Sequence, residues 1–181
     1  MSIAGIEKVR EAETKAAQIK KTSEEAAAGM EKFALAGFKP KEIISAIPPI
    51  FDLATASGED FIMISDMISD NMTAFKIGID DVGHASDILA NTMSRSNTNI
   101  QMLGEAFKYV SSSASNLNID LSTTSAAIGL MGDQAIKSGQ AGRDLKQAFS
   151  KIADAGVQKK LESLGVSVKD SKGEFIGLVD F

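Results

Sequence analysis

The sequence predicts an all-α fold of tandem helix hairpins, repeating about every 42 residues and forming a helical bundle or short solenoid, with a small β-hairpin or extended tail at the C-terminus. Three observations carry this. First, ATASGEDFIMISDMIS (54–69), SNTNIQMLGEAFKYVS (96–111) and SGQAGRDLKQAFSKIA (138–153) align without gaps at a constant shift of 42. Second, the shared apolar columns recur at i, i+3 and i+7, one face of an α-helix: Phe61, Leu103 and Leu145; Ile64, Ala106 and Ala148; Ile68, Val110 and Ile152. Third, the frame extends upstream to a second helical face, through Ile43, Ala85 and Ala127 and through Ile47, Leu89 and Met131.

The elements follow in order. Ile6 to Leu35 is alanine-rich and charged, with strong helix propensity, and 1–39 is expected as an N-terminal helical segment. Pro40 marks the next helix start after the turn at Leu35 to Lys39. Three units then fill 40–165: Pro40 to Asp81, Val82 to Thr123 and Thr124 to Gly165, each a helix, a polar turn, a helix and a connector. Thr98 with Gln101 fits a capping box, Ser57 with Asp60 a weaker one, and Ser122 fits an N-cap. The connectors FKIGI (75–79) and LNIDL (117–121) align and alternate in polarity. The serine run Ser111 to Ser115 occupies the columns of Ser69 to Thr73, so it reads as the closing turns of a packed helix with a small polar outer face. The third unit loses its apolar columns at Lys159 and Ser163, as terminal repeats do. Residues 166–181 alternate about Asp170 to Gly173, which predicts a short β-hairpin or extended tail, and the apolar stop at Phe181 suggests a piece of a longer chain.

Composition narrows the function classes. The 181 residues are 44% hydrophobic and 24% charged with a formal charge of -5, which favours a globular chain and argues against dedicated nucleic-acid binding. No cysteine is present, which excludes disulfides and thiolate chemistry. The longest charge-free apolar stretches, 43–51 and 121–132, fall short of the roughly 18 residues a membrane span needs. The N-terminus turns charged too early for a secretory signal, so cytosolic synthesis is expected.

Few residues suggest chemistry. His84 is the sole histidine, and Asp80, Asp81 and Asp87 are its sequence neighbours; a catalytic reading needs a nucleophile, and a helix-surface histidine needs nothing further. Asp66 and Asp70 share a helix face, which suits either a divalent ion or a solvated face. Gly129, Gly132, Gly139 and Gly142 lack the lysine and hydroxyl of a phosphate loop, and helix proximity explains them better. The eight methionines, among them Met63, Met67, Met72, Met93, Met102 and Met131, fit core gap-filling before an adaptable binding surface. No catalytic, cofactor-binding or metal residue is assigned, and no cofactor is expected.

The assembled blocks MEKFALAGFKPKEIISAIPPIFDLATASGEDF, TAFKIGIDDVGHASDILANTMSRSNTNIQMLGEAFKYV, GLMGDQAIKSGQAGRDLKQAFSKI and LGVSVKDSKGEF resemble, in that order, the core region of bacteriophage tail tape measure proteins, from about Thr22 onward. Pro48-Pro49 departs from the family pattern of a proline followed by a small residue and is expected to kink or shorten the first helix of unit one. Ser111 to Ser115 stands where the family often has proline or alanine. The resemblance implies a non-enzymatic structural protein of the virion, located in the tail-tube lumen and, during assembly, in the host cytoplasm. It implies a scaffold whose length sets tail length, around which tail-tube protein polymerises. Tail assembly chaperones and tail tip proteins are the further partners it implies, together with self-association, and on infection ejection and help with genome delivery through the envelope. Independently of the resemblance, a helical-repeat module presenting a groove to a peptide stays open, as does an enzyme built on His84.

Overall fold

The computed structural model describes residues 23–167, and these are all-helical, without a strand. Helix α1 covers 23–35 of the described chain. It is followed by α2 (Pro40–Ser57), α3 (Phe61–Phe75), a 3-10 turn (Ile79–Asp81), α4 (Val82–Arg95), α5 (Ile100–Asn116), α6 (Leu121–Asp133), α7 (Ser138–Ala153) and α8 (Ala155–Ser163). The hairpin or tail expected over 166–181 lies beyond residue 167 for nearly all its length, outside the described residues.

Local chemistry sets the helix ends. Pro40 opens α2, whose missing N–H costs nothing at that position, and Glu42 accepts from the Lys39 N–H at 2.7 Å. The expected caps are corrected elsewhere. Asp60, not Ser57, caps α3, its Oδ1 accepting from Ile62 N–H and Met63 N–H at 2.8 and 3.2 Å. Ser57 is the last residue of α2, which closes on Gly58 in the left-handed region at φ 71°. Asn99, not Thr98, caps α5 through Met102 N–H at 2.8 Å, and Asp120, not Ser122, caps α6 through Thr123 N–H at 2.7 Å.

The 42-residue shift fits some features and not others. Lys76 and Asn118 share a column, and both are left-handed, with Ile77 and Ile119 donating back to Met72 O and Ala114 O at 2.8 and 3.0 Å. The caps Asp60 and Asn99 do not stand 42 apart, so no single shift describes every element. The proline pair does not shorten α2, which runs through Pro48 and Pro49 to Ser57. The two carbonyls that lose their donors belong to Ile44 and Ser45, both exposed to water.

The helices form two rows. Helices α2, α4 and α6 lie side by side in one, α3, α5 and α7 in the other, and successive helices join the rows. Helix α1 rests on α3, where Gly29 faces the Phe61 ring and Lys32 pairs with Asp66 at 3.0 Å. One apolar cluster runs from Phe33 to Phe149 between the rows, centred on Ile64, Ile68, Leu89, Leu103, Ala106 and Val110.

The third unit departs from its expected columns. Ala148 is exposed, and Leu145 and Ile152 are only partly buried. The face of α7 turned inward carries Ala141, Gly142 and Phe149. The cause is close approach: a Cβ on Gly142 would sit 2.1 Å from Ala106 O, so α7 crosses α5 backbone to backbone. Asp154 then ends α7 and caps α8, accepting from Gly156 and Val157 N–H at 2.9 and 3.0 Å.

Candidate functional site

A groove of about 620 Å³ lies between α3 and α5. Both helices present their partner-facing edges to it, and small residues open it. Gly104 has no side chain, and a Cβ there would meet Met67 Sδ at 3.1 Å. Met63, Met67, Ala74 and Phe107 supply apolar lining. At its base Ser111 joins the two helices: its Oγ lies 2.8 Å from Phe107 O and 3.2 Å from Asn71 Oδ1, while Asn71 Nδ2 donates to Met67 O at 2.9 Å. Ser111 is therefore buried, as is Ala114, so the serine run is continuous helix as expected, but its face is not uniformly outward.

The rim is acidic. Glu59, Asp66, Asp70 and Glu105 line the groove, with Lys108 as the one lining cation. Glu105 is held by Lys108, and this hydrogen bond raises the Lys108 ammonium above its ordinary range. Asp66 is paired by Lys32 of α1, whose own pKa that bond raises. Among the described residues, the Glu59 carboxylate receives only the neutral Gln101 amide, at 3.0 Å. Asp70 has no ion-pair partner among the described residues; partial burial, then repulsion from Asp66, pushes its carboxyl above the usual range.

The residues singled out in the sequence are distributed as follows. Asp66 and Asp70 do share a face, that of the groove. His84 is exposed near the start of α4 and borders a smaller pocket of about 390 Å³ that Asp81, Asp120 and Ser122 also line. No hydrogen bond joins His84 to any of them, and the Asp120 carboxylate is engaged in capping α6. Asp80 and Asp87 are exposed and line neither pocket. Among the described residues no three His, Cys, Asp or Glu side chains come together to hold a metal ion. The glycines serve helix proximity, Gly129 against Thr92 and Ser96, Gly132 against Thr98 and Gly142 against Ala106. Met72 is core, whereas Met63 and Met67 touch the core and the groove together, joining the two roles weighed for methionine. No helix among the described residues is long and apolar enough to cross a membrane.

Comparison with known proteins places the chain. The model of the phage-related minor tail protein family matches residues 10–181. The tape measure protein of Pneumococcus phage Dp-1 is 38% identical over 159 residues, covering 87% of this chain and 14% of that protein. The probable tape measure protein of Escherichia phage P2 is 27% identical over 154 residues, covering 84% of this chain and 19% of that protein. The chain thus spans well under a quarter of the length of these relatives. No solved structure matches. With its family model matched along nearly all its length, the chain belongs to the phage-related minor tail protein family, as a region of a tape measure protein.

Proposed function

We propose that this region is a structural segment of the tail scaffold whose length sets tail length and around which the tube polymerises. Residues 40–165 are its folded core of three hairpins, between an N-terminal segment, 1–39, and a C-terminal segment, 166–181. The role is mechanical, not enzymatic: tail-tube protein, tail assembly chaperones and tail tip proteins are its partners, and self-association belongs to the packing of several copies in one lumen. During infection the chain leaves ahead of the genome and assists its passage through the envelope. The observation that carries the reading is the alignment of 87% of the chain to a tape measure protein. The all-helical architecture of the described residues is consistent with it.

Cryo-electron microscopy of intact tails tests the location. Helical density for this segment inside the tube is the expected result, and a position on the outer surface, or absence from assembled tails, overturns the proposal. A second reading, a helical module that binds a partner segment without transforming it, is favoured by the acid-rimmed groove between α3 and α5.

A further inference from the structure

We infer that the groove between α3 and α5 is the docking site for a cationic amphipathic helix of a partner protein. This deepens the binding-module reading and is independent of the tail-length role. The floor is the kind that accepts a helix face: Met63 and Met67 are flexible and polarisable, so they repack around aliphatic anchors, and Gly104 lets Met67 lie close against α5. The volume, about 620 Å³, accommodates the side chains of one helix face.

The rim sets the sign of the partner. Of its four carboxylates, Asp66 and Glu105 are matched by Lys32 and Lys108, while Glu59 and Asp70 have no ion-pair partner among the described residues. A helix carrying Lys or Arg opposite these two replaces water with ion pairs at both ends of an apolar contact. Glu59 stands just before the Asp60 cap of α3 and Asp70 in the third turn of that helix, so the cations of the guest belong towards the two ends of its apolar stripe. Apolar residues at i, i+3, i+4 and i+7 of the guest form that stripe on one face. A second copy of the chain is a poorer fit. Helix α7, which carries Arg143, Lys146 and Lys151, has turned Ala141 and Phe149 onto α5, and its outward positions Arg143, Asp144 and Lys146 offer no apolar anchor; α8, with Lys159 and Lys160, is only nine residues long.

The test is fluorescence anisotropy of a labelled 18-residue leucine–lysine amphipathic helix, with lysines at both ends of its apolar stripe, titrated with the 181-residue chain. A glutamate–leucine helix of the same pattern is the control probe. Because the chain carries a net charge of -5, any polycation is attracted weakly, so position must be shown. Asp70→Lys and Glu59→Lys are each expected to weaken binding about tenfold at low salt, against little change for Asp52→Lys on the exposed side of α2. A photo-crosslinker placed at Met63 is expected to capture the peptide. Equal binding of both probes, equal loss in Asp52→Lys and Asp70→Lys, or no capture at Met63 overturns the inference. So does sedimentation showing that the groove is occupied by a second copy, with oligomers lost in Asp70→Lys. Loss of peptide binding leaves the tail-length role standing, and a tail-length failure leaves this docking site standing.

Discussion

Gly142→Ala is the sharpest perturbation of this fold. The added Cβ would lie 2.1 Å from Ala106 O and 2.8 Å from Ala106 Cα and C, so the obstacle is backbone and no rotamer relieves it. Restoring normal contact moves α7 away from α5 by about 1 Å, which forfeits a quarter to a half of the dispersion energy across the gap. Ala141, at 0% exposure, and Phe149, at 1%, sit at that seam, so the steric and packing cost falls at the upper end of overpacking, about 3 kcal/mol. Alanine in place of glycine within a helix returns about 1 kcal/mol, leaving a net loss of about 2 kcal/mol. Urea unfolding followed by circular dichroism reads this as a lower midpoint at unchanged slope. Gly83→Ala in α4 is the counterpart: nothing stands within 4 Å of its Cβ position, so the same chemical change is expected to stabilise by about 0.5 kcal/mol. If Gly142→Ala is neutral or stabilising, α5 and α7 do not cross at this distance and the reasoning fails.

Other consequences are accessible to the same assays. Leu103→Ala is expected to cost about 3–4 kcal/mol, because Leu103 is fully enclosed, and Leu145→Ala about 1–2 kcal/mol, because Leu145 only packs against the core edge. Equal losses would restore the equivalence that the 42-residue alignment implies. Asn99→Ala is expected to lower stability by about 1 kcal/mol through the lost cap on Met102 N–H, whereas Thr98→Ala, a change at the sequence-predicted cap, leaves Met102 N–H satisfied. The Asp70 carboxyl has a pKa above its unfolded value, so the folded chain holds that proton more tightly and its charge opposes folding once pH rises through the folded pKa. Asp70→Asn therefore raises the melting temperature at pH 7 and leaves it unchanged at pH 3, where both side chains are neutral. A lower melting temperature at pH 7 would mean that Asp70 is paired in solution.

Much of the fold was readable from apolar spacing. Periodicity located the helices of the first two hairpins, and Phe61, Ile64, Ile68, Leu103, Ala106 and Val110 are the core residues that spacing nominated. Cap positions slipped by one to three residues because Ser57, Thr98 and Ser122 are as good by type as Asp60, Asn99 and Asp120; only the backbone geometry at Gly58 and the flanking turns decides between them. The third unit was misread because an alignment of apolar columns weights Leu145 over Gly142, while close helix crossing depends on the residue with no side chain. The groove was only half legible. Asp66 and Asp70 were visible as a pair on one face, but their relation to Glu59 and Glu105 depends on how α3 and α5 meet, a tertiary fact without local signal. The family blocks pointed to the tail in a way that no single residue does, since a structural segment needs no site chemistry to mark it.

Tail length itself tests the central claim most directly. Phages carrying an in-frame deletion of residues 40–165, and others carrying a tandem duplication of the same span, are measured by electron microscopy. As part of the scaffold, the segment predicts shorter tails for the deletion and longer tails for the duplication, by at most about 1.5 Å per residue removed or added. Tails of unchanged length in both would contradict the account.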